Sequence, residues 1–323
     1  RARSRSGQSS AQKRRRRLLL IWVIFVLLAI FLGLGYYVIH LAVTGRRYTQ
    51  ESLAAQLDKP AYREIRETSL ASTGWVASHA HEELHVMSYD GKLLHATFLP
   101  KEHTKGTILL FHGYRSCWQI DFGLVLPYYY DTLGYSLLLV DQRAHGASQG
   151  KYLTFGVRER HDVATWAAYA AMHFGPAHPL ILDGLSMGAA TVLMAAGLDL
   201  PENVKGIIAD CGFTSPWDII KHVAKDRFHL PPFPLMYMVN LVSEIIAGFG
   251  LKEVSIPEIM KRNKIPVLFI HGDADNYVPM WMTIKNYEAC AAPKELYIVP
   301  GAGHALAFSK DMEEGKRRIK GFS

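Results

Sequence analysis

Gly184-Leu185-Ser186-Met187-Gly188 is a G-x-S-x-G segment that follows the apolar run LILD and precedes the helix-prone stretch AATVLMAAGL. The two glycines let the chain turn sharply, so Ser186 would project its hydroxyl from the carboxyl edge of a sheet. A serine hydroxyl is a poor nucleophile near neutral pH; it needs a base, and the base needs an orienting acid. His304 stands in the small-residue loop Pro300-Gly301-Ala302-Gly303-His304, after the last apolar run, where an imidazole can swing over the sheet edge. Asp275, in His271-Gly272-Asp273-Ala274-Asp275-Asn276-Tyr277-Val278-Pro279, follows the preceding run. The expected triad is therefore Ser186, Asp275 and His304, and its chemistry is nucleophilic attack on a carbonyl. Asp210, at the end of GIIAD, is a rival for the acid, with Asp273 behind it.

Six apolar runs must position these groups: TILLFHG (107–113), SLLLVDQ (136–142), LILDGLS (180–186), VKGIIADCG (204–212), PVLFIHGD (266–273) and ELYIVPG (295–301). Continuous Leu-rich and β-branched runs separated by helix-compatible segments such as 156–175 and 278–292 describe buried parallel strands with crossover helices. LHVMSY and KLLHATFLP flank Asp90-Gly91, a dipeptide suited to a type I′ hairpin turn, which puts an antiparallel hairpin at the N-terminal edge. The closing stretch KDMEEGKRRIKGFS suits a last helix.

From about residue 84 onward the chain resembles the α/β-hydrolases, in particular bacterial membrane-anchored serine hydrolases. The resemblance rests on His112-Gly113 after the third strand, on Asp141-Gln142-Arg143-Ala144-His145-Gly146-Ala147-Ser148, on GLSMG, on HG-x-x-D-x-x-VP and on the late G-x-x-H. It implies a mostly parallel sheet flanked by helices, with Ser186 attacking a carbonyl, His304 shuttling the proton and Asp275 holding the imidazolium. It further implies that the backbone N–H groups of Tyr114 and Met187 form the oxyanion hole, each stabilising the tetrahedral intermediate by roughly 3–4 kcal/mol. A serine nucleophile disfavours the dehalogenase and epoxide-hydrolase branches of this fold, which use Asp.

The insertion at about 214–264 lies where the family carries its cap, and its segment 230–250 is apolar and Pro-interrupted. Phe233, Met236 and Tyr237 there, with Trp118 near the oxyanion loop, are the expected lining of an apolar acyl or aryl pocket. Asp183, just before the turn, departs from the apolar, aromatic or His residue expected there. Glu159 and Asp162 read as helix-start and loop-bracing groups. His79, His81 and His85 begin as H-x-H, but at a junction before a strand they read as solvated, and no metal or cofactor is expected. Cys117, Cys211 and Cys290 are too few and too scattered for a metal cage or a disulfide framework and read as core residues.

Leu18–Ile39 runs without a charge and spans about 33 Å as a helix, enough to cross a hydrocarbon layer of about 30 Å. A cleaved signal peptide has a shorter apolar core, about 7–15 residues, so a retained anchor over 18–43 is expected. Residues 1–17 carry eight positive charges and no acid, which leaves −1 for residues 18–323 and gives no support to nucleic-acid binding. The same bias predicts a single-pass cell-membrane protein with its N-terminus cytoplasmic and its catalytic domain extracytoplasmic. Residues 44–83 read as a stalk, 84–323 as the catalytic domain, and 44–323 as a soluble active piece. With 49% hydrophobic and 20% charged residues, disorder and a disulfide-stapled miniprotein are excluded. The expected activity is hydrolysis of small-molecule or lipid-like carboxylic esters through an acyl-enzyme. The alternatives are a thioesterase or protein deacylase, a peptidase, and an inactive binding module.

Overall fold

The six apolar runs form β3 to β8 of one eight-stranded sheet. The computed structural model describes residues 3–323; Arg1 and Ala2 of the basic tail, and the side chains of residues 3–11, Val38 and Ala61, lie outside the described residues. The strands are β1 (Glu82–Met87), β2 (Leu93–Leu99), β3 (Thr107–Phe111), β4 (Ser136–Asp141), β5 (Leu180–Leu185), β6 (Val204–Asp210), β7 (Val267–Gly272) and β8 (Lys294–Val299). Their order is β1-β2-β4-β3-β5-β6-β7-β8. β1 pairs antiparallel with β2, and β2 with β4; every pairing from β4 to β8 is parallel.

The helices are α1 (Arg3–Val43), α2 (Gln50–Leu57), α3 (Arg66–Ala77), α4 (Trp118–Asp121), α5 (Glu159–Phe174) and α6 (Met187–Ala195). After them come α7 (Pro216–Asp226), α8 (Pro232–Ala247), α9 (Ile256–Met260), α10 (Trp281–Ala289), α11 (Ala307–Lys310) and α12 (Met312–Phe322). β3, β4, β5 and β7 are buried at every position, as strands covered on both faces must be. Alternation along β3 divides the core: Leu109 and Phe111 join Trp166 of α5 and Val192 of α6, whereas Ile108 and Leu110 join Tyr129 and Ile319 of α12. This is the α/β-hydrolase fold expected from the sequence.

Three expectations change. The hairpin does not turn on a two-residue type I′ loop: Ser88 N–H donates to Lys92 O (2.8 Å) around a three-residue loop, Tyr89–Gly91. Ser88 Oγ widens it by accepting from the Lys92 amide and donating to Asp90 Oδ1. Residues 44–83 are no free stalk, because α2 and α3 dock on the domain. Leu53, Leu57 and Ile65 bury with Ile120, and Tyr48 Oη donates to Arg115 O (2.9 Å). Nor does the piece 44–323 hold the whole core. Ile39 and Val43 of α1 lie in the main core, Leu153 N–H donates to Val43 O (2.8 Å), and Gly45 N–H donates to Lys151 O (3.4 Å). Upstream, Leu18–Leu34 is almost uniformly exposed and apolar, and the helix is long and apolar enough to cross a membrane.

Candidate active site

The junction of β5 and α6 is a sharp reversal at Ser186, whose backbone sits at φ 57°, ψ −112°, outside the ordinary regions for a residue with a Cβ. Ser186 N–H is held by Asp210 O (2.8 Å). The flanking glycines are required by space. A Cβ on Gly188 would lie 1.8 Å from Phe111 O, and one on Gly184 would lie 2.3 Å from Gly188 O. β3 thus passes so close to the start of α6 that only a hydrogen fits between them.

Ser186 Oγ lies 2.9 Å from His304 Nε2, and His304 Nδ1 lies 2.7 Å from Asp275 Oδ2. His304 is delivered by the loop after β8, and Asp275 by the loop after β7. Asp275 Oδ1 accepts the amides of Tyr277 (2.8 Å) and Val278 (2.9 Å), so the loop backbone fixes the carboxylate. Burial alone would push its pKa up; the bonds from His271 and His304 overcome that and hold it below the usual carboxylate range. Such a geometry can take the serine proton at Nε2 while the carboxylate steadies the charge that develops on the ring.

The rival acids sit elsewhere. Asp210 is buried near the site, but its Oδ1 has no hydrogen-bonding partner among the described residues, and burial pushes its carboxyl up to about 6 against the pull of His271 and His304. Asp273 Oδ1 accepts the Gly301 amide (2.6 Å) and braces the His304 loop. Asp183 acquires a role: Tyr129 Oη donates to its Oδ2 (2.7 Å), and burial raises the carboxyl to about 7. Asp121, Tyr129, Asp183, Leu185, Asp210 and Ala305 line a cavity of about 50 Å³ beneath the site. That is room for a few waters.

Met187 opens α6, so its N–H has no carbonyl one turn back. Gly113, the residue before Tyr114, packs close to the serine: an added Cβ there would meet Ser186 Cβ at 3.4 Å. The sequence left Asp121 unremarked, yet its Oδ2 accepts the Gly113 amide (2.5 Å) and its Oδ1 the Ser116 hydroxyl (2.7 Å), pinning this loop. Glu159 accepts the amides of Thr154 (2.8 Å) and Gly156 (2.9 Å), and Asp162 takes a bidentate pair from Arg143, 2.6 Å at each contact. Both therefore brace loops. His79 Nδ1 meets Trp75 O at 2.7 Å, and His81 Nδ1 meets His79 O at 2.8 Å.

The expected pocket lining does not assemble. Trp118 buries its indole in the core with Leu99, Tyr129 and Leu139. Met236 is fully buried in the other cluster, while Phe233 and Tyr237 point outward at 75% and 58% exposure. The reason is the seat of α8: its Met236, Met238, Val239 and Val242 face is buried, with Met238 against Gly35 of α1, and Phe233 and Tyr237 are left on the exposed side. Donor atoms of Cys211, Asp275 and His304 lie within 4.8 Å of one another, the set that could jointly face a cation among the described residues. Burial holds the Cys211 thiol far above its usual value, and the other two are already bonded to each other, so the set fits a proton relay better than a metal.

Residues 106–235 match the family model described as alpha/beta hydrolase fold. The chain is 28% identical to the Bacillus subtilis protein YqkD over 219 residues, which covers 68% of this chain and 71% of that one. It is 25% identical to YNL320W of Saccharomyces cerevisiae, called a membrane protein, over 69% of this chain and 73% of that one. Among solved structures, the Pyrococcus furiosus esterase Pf2001 superposes with a TM-score of 0.63 at 23% identity, over 76% of this chain and 91% of that one.

Proposed function

For a chain that has the α/β-hydrolase fold and is assigned to that superfamily, we propose a membrane-anchored serine hydrolase that cleaves carboxylic esters through an acyl-enzyme. The observation that carries this reading is the continuous chain of contacts from Ser186 Oγ through both nitrogens of His304 to Asp275, 2.9 Å and 2.7 Å. Ser186 Oγ bonds to the ester carbonyl carbon as its proton passes to His304 Nε2. The resulting oxyanion faces the Tyr114 and Met187 amides. Nε2 then returns the proton to the alkoxide oxygen, the C–O bond breaks and the alcohol leaves. A water, deprotonated by the same nitrogen, attacks the acyl-enzyme; the carboxylic acid departs and Ser186 regains its proton. The chain's own side chains supply every proton transfer, so this route needs no cofactor.

The charge-free stretch of α1 and the basic residues before it support a single-pass anchor with a cytoplasmic N-terminus and an extracytoplasmic hydrolase domain. The test of the activity is labelling of the full chain with a fluorophosphonate, wild type beside Ser186→Ala, followed by p-nitrophenyl esters from acetate to palmitate. Labelling and turnover that both vanish with Ser186→Ala are expected. Labelling that survives the substitution, or a folded wild type that is never labelled, overturns the reading.

A further inference from the structure

α8 carries an apolar stripe that the fold leaves uncovered. Tyr237, Leu241 and Ile245 recur every four residues and are 58%, 48% and 75% exposed; residues at that spacing within a helix share one face. Phe233, 75% exposed and with a non-helical backbone at the head of α8, sets its ring 6.0 Å from that of Tyr237. Monomeric proteins rarely leave such a contiguous patch in water. Just upstream, in the α7–α8 connection, Phe228 and Leu230 are also exposed, interleaved with the exposed Arg227 and His229.

The position of α8 on α1 says what covers the stripe. Met238 is seated on Gly35, where a Cβ would come within 2.8 Å of its sulfur, so the two helices touch backbone to side chain. Gly35 lies about 26 Å along the helix from Leu18, within a hydrocarbon layer about 30 Å thick that starts at the end of the arginine run. The seat of α8 is therefore at the depth where acyl chains meet headgroups. Tyr36 and Tyr37 are exposed at the same level, as aromatic side chains at a bilayer boundary are. An apolar helix of 16 residues is too short to cross, and its one acid, the exposed Glu244, bonded to Asn240 Nδ2 (2.7 Å), keeps that half near water. These features fit a helix lying in the interface plane.

The α7–α8 connection at the head of this stripe reaches the triad. The His304 ring lies 5.0 Å from that of Tyr277, and the Arg227 guanidinium lies 4.8 Å over Tyr277, one residue from the exposed Phe228. From the other side, Tyr114 Oη donates to Ala42 O (2.7 Å) and Arg115 Nη1 to Leu41 O (3.4 Å), tying the oxyanion loop to the end of the anchor.

We propose that the exposed face of α8, continuous with the end of α1, rests on the bilayer that α1 spans and presents membrane-resident acyl esters to Ser186. This rests on the anchored-hydrolase reading above. Benzoylphenylalanine placed at 241 or 245 of the full chain, in nanodiscs of phosphatidylcholine and phosphatidylglycerol, tests the contact. Leu27 in the span serves as the positive control, and Met172, exposed at the end of α5, as the negative one. Light-dependent lipid adducts at 27, 241 and 245 and none at 172 are expected. Adducts at 27 without any at 241 and 245 overturn the proposal, and so do cross-links from 241 or 245 to a second copy of the chain. Absence of lipid at 27 as well removes the anchor itself. In a second arm, Leu241→Gln/Ile245→Gln should leave turnover of soluble p-nitrophenyl butyrate within about twofold and lower turnover of p-nitrophenyl palmitate carried in vesicles by about tenfold. An equal loss on both esters overturns the proposal. A wild type inactive on both condemns the hydrolase reading, while the adducts still decide the membrane contact.

Discussion

His304 Nδ1 lies 2.7 Å from Asp275 Oδ2, while the buried Asp210 nearby leaves its Oδ1 without a partner among the described residues. Only the first of these carboxylates can select the tautomer in which Nε2 is free to take a proton from Ser186. Asp275→Asn should therefore lower kcat for p-nitrophenyl butyrate by about 10⁴ with the circular dichroism spectrum unchanged. Asp210→Asn should lower it by less than about tenfold. The reverse ranking would move the role to Asp210.

Gly188 separates β3 from α6, and a methyl group there would meet Phe111 O at 1.8 Å. Both partners are backbone, so neither can rotate away. Gly188→Ala should cost about 3 kcal/mol of stability and abolish fluorophosphonate labelling. Gly74→Ala is the contrast: within α3 an added Cβ meets nothing within 4 Å, so urea melts should show a gain of about 0.5–1 kcal/mol. If Gly188→Ala is tolerated as readily, the close approach at the turn is wrong.

What was legible in the sequence was what short segments determine. The turn at Ser186 depends on its immediate neighbours, and each parallel strand is a continuous apolar run. The partner of Asp183 was not legible, because Tyr129 lies 54 residues away and only the fold joins them. The seat of α8 is not legible for another reason. Hydrophobicity marks Phe233, Met236 and Tyr237 alike, and it does not say whether an apolar side chain enters a pocket, packs on α1 or faces outward. Residues 44–83 read as a stalk because α2 and α3 bury so few side chains, Leu53 and Leu57 in α2 and Val76 in α3 among them, and leave the rest half-buried or exposed.

Where the chain can be shortened follows from Ile39 and Val43, at 3% and 1% exposure. Each contributes about 1.5–3 kcal/mol by burial, and Val43 O also accepts from Leu153 N–H. Residues 35–323 should therefore purify with esterase activity in mild detergent. Residues 44–323 should melt several degrees lower or aggregate. Matching melting curves for the two pieces would show that the end of α1 only touches the domain.

Asp183 makes a pH-dependent cost visible. Burial raises its carboxyl to about 7, so between the unfolded value of about 3.9 and that point the folded chain holds a proton the unfolded chain has lost. Its contribution to stability thus falls as pH rises across that window and stays low above it. Asp210, raised to about 6, acts with the same sign, and Asp275, lowered, with the opposite one; both remain in either protein. Asp183→Asn keeps an oxygen to accept from Tyr129 Oη and removes the ionisation. Calorimetry of the full chain should find the variant and the wild type with similar Tm near about pH 4. At about pH 8 the variant should be higher by several degrees. A constant gap at every pH would assign the effect to the Tyr129 hydrogen bond, and a lower Tm for the variant at about pH 8 would mean that the ionised carboxylate is itself stabilised in the fold.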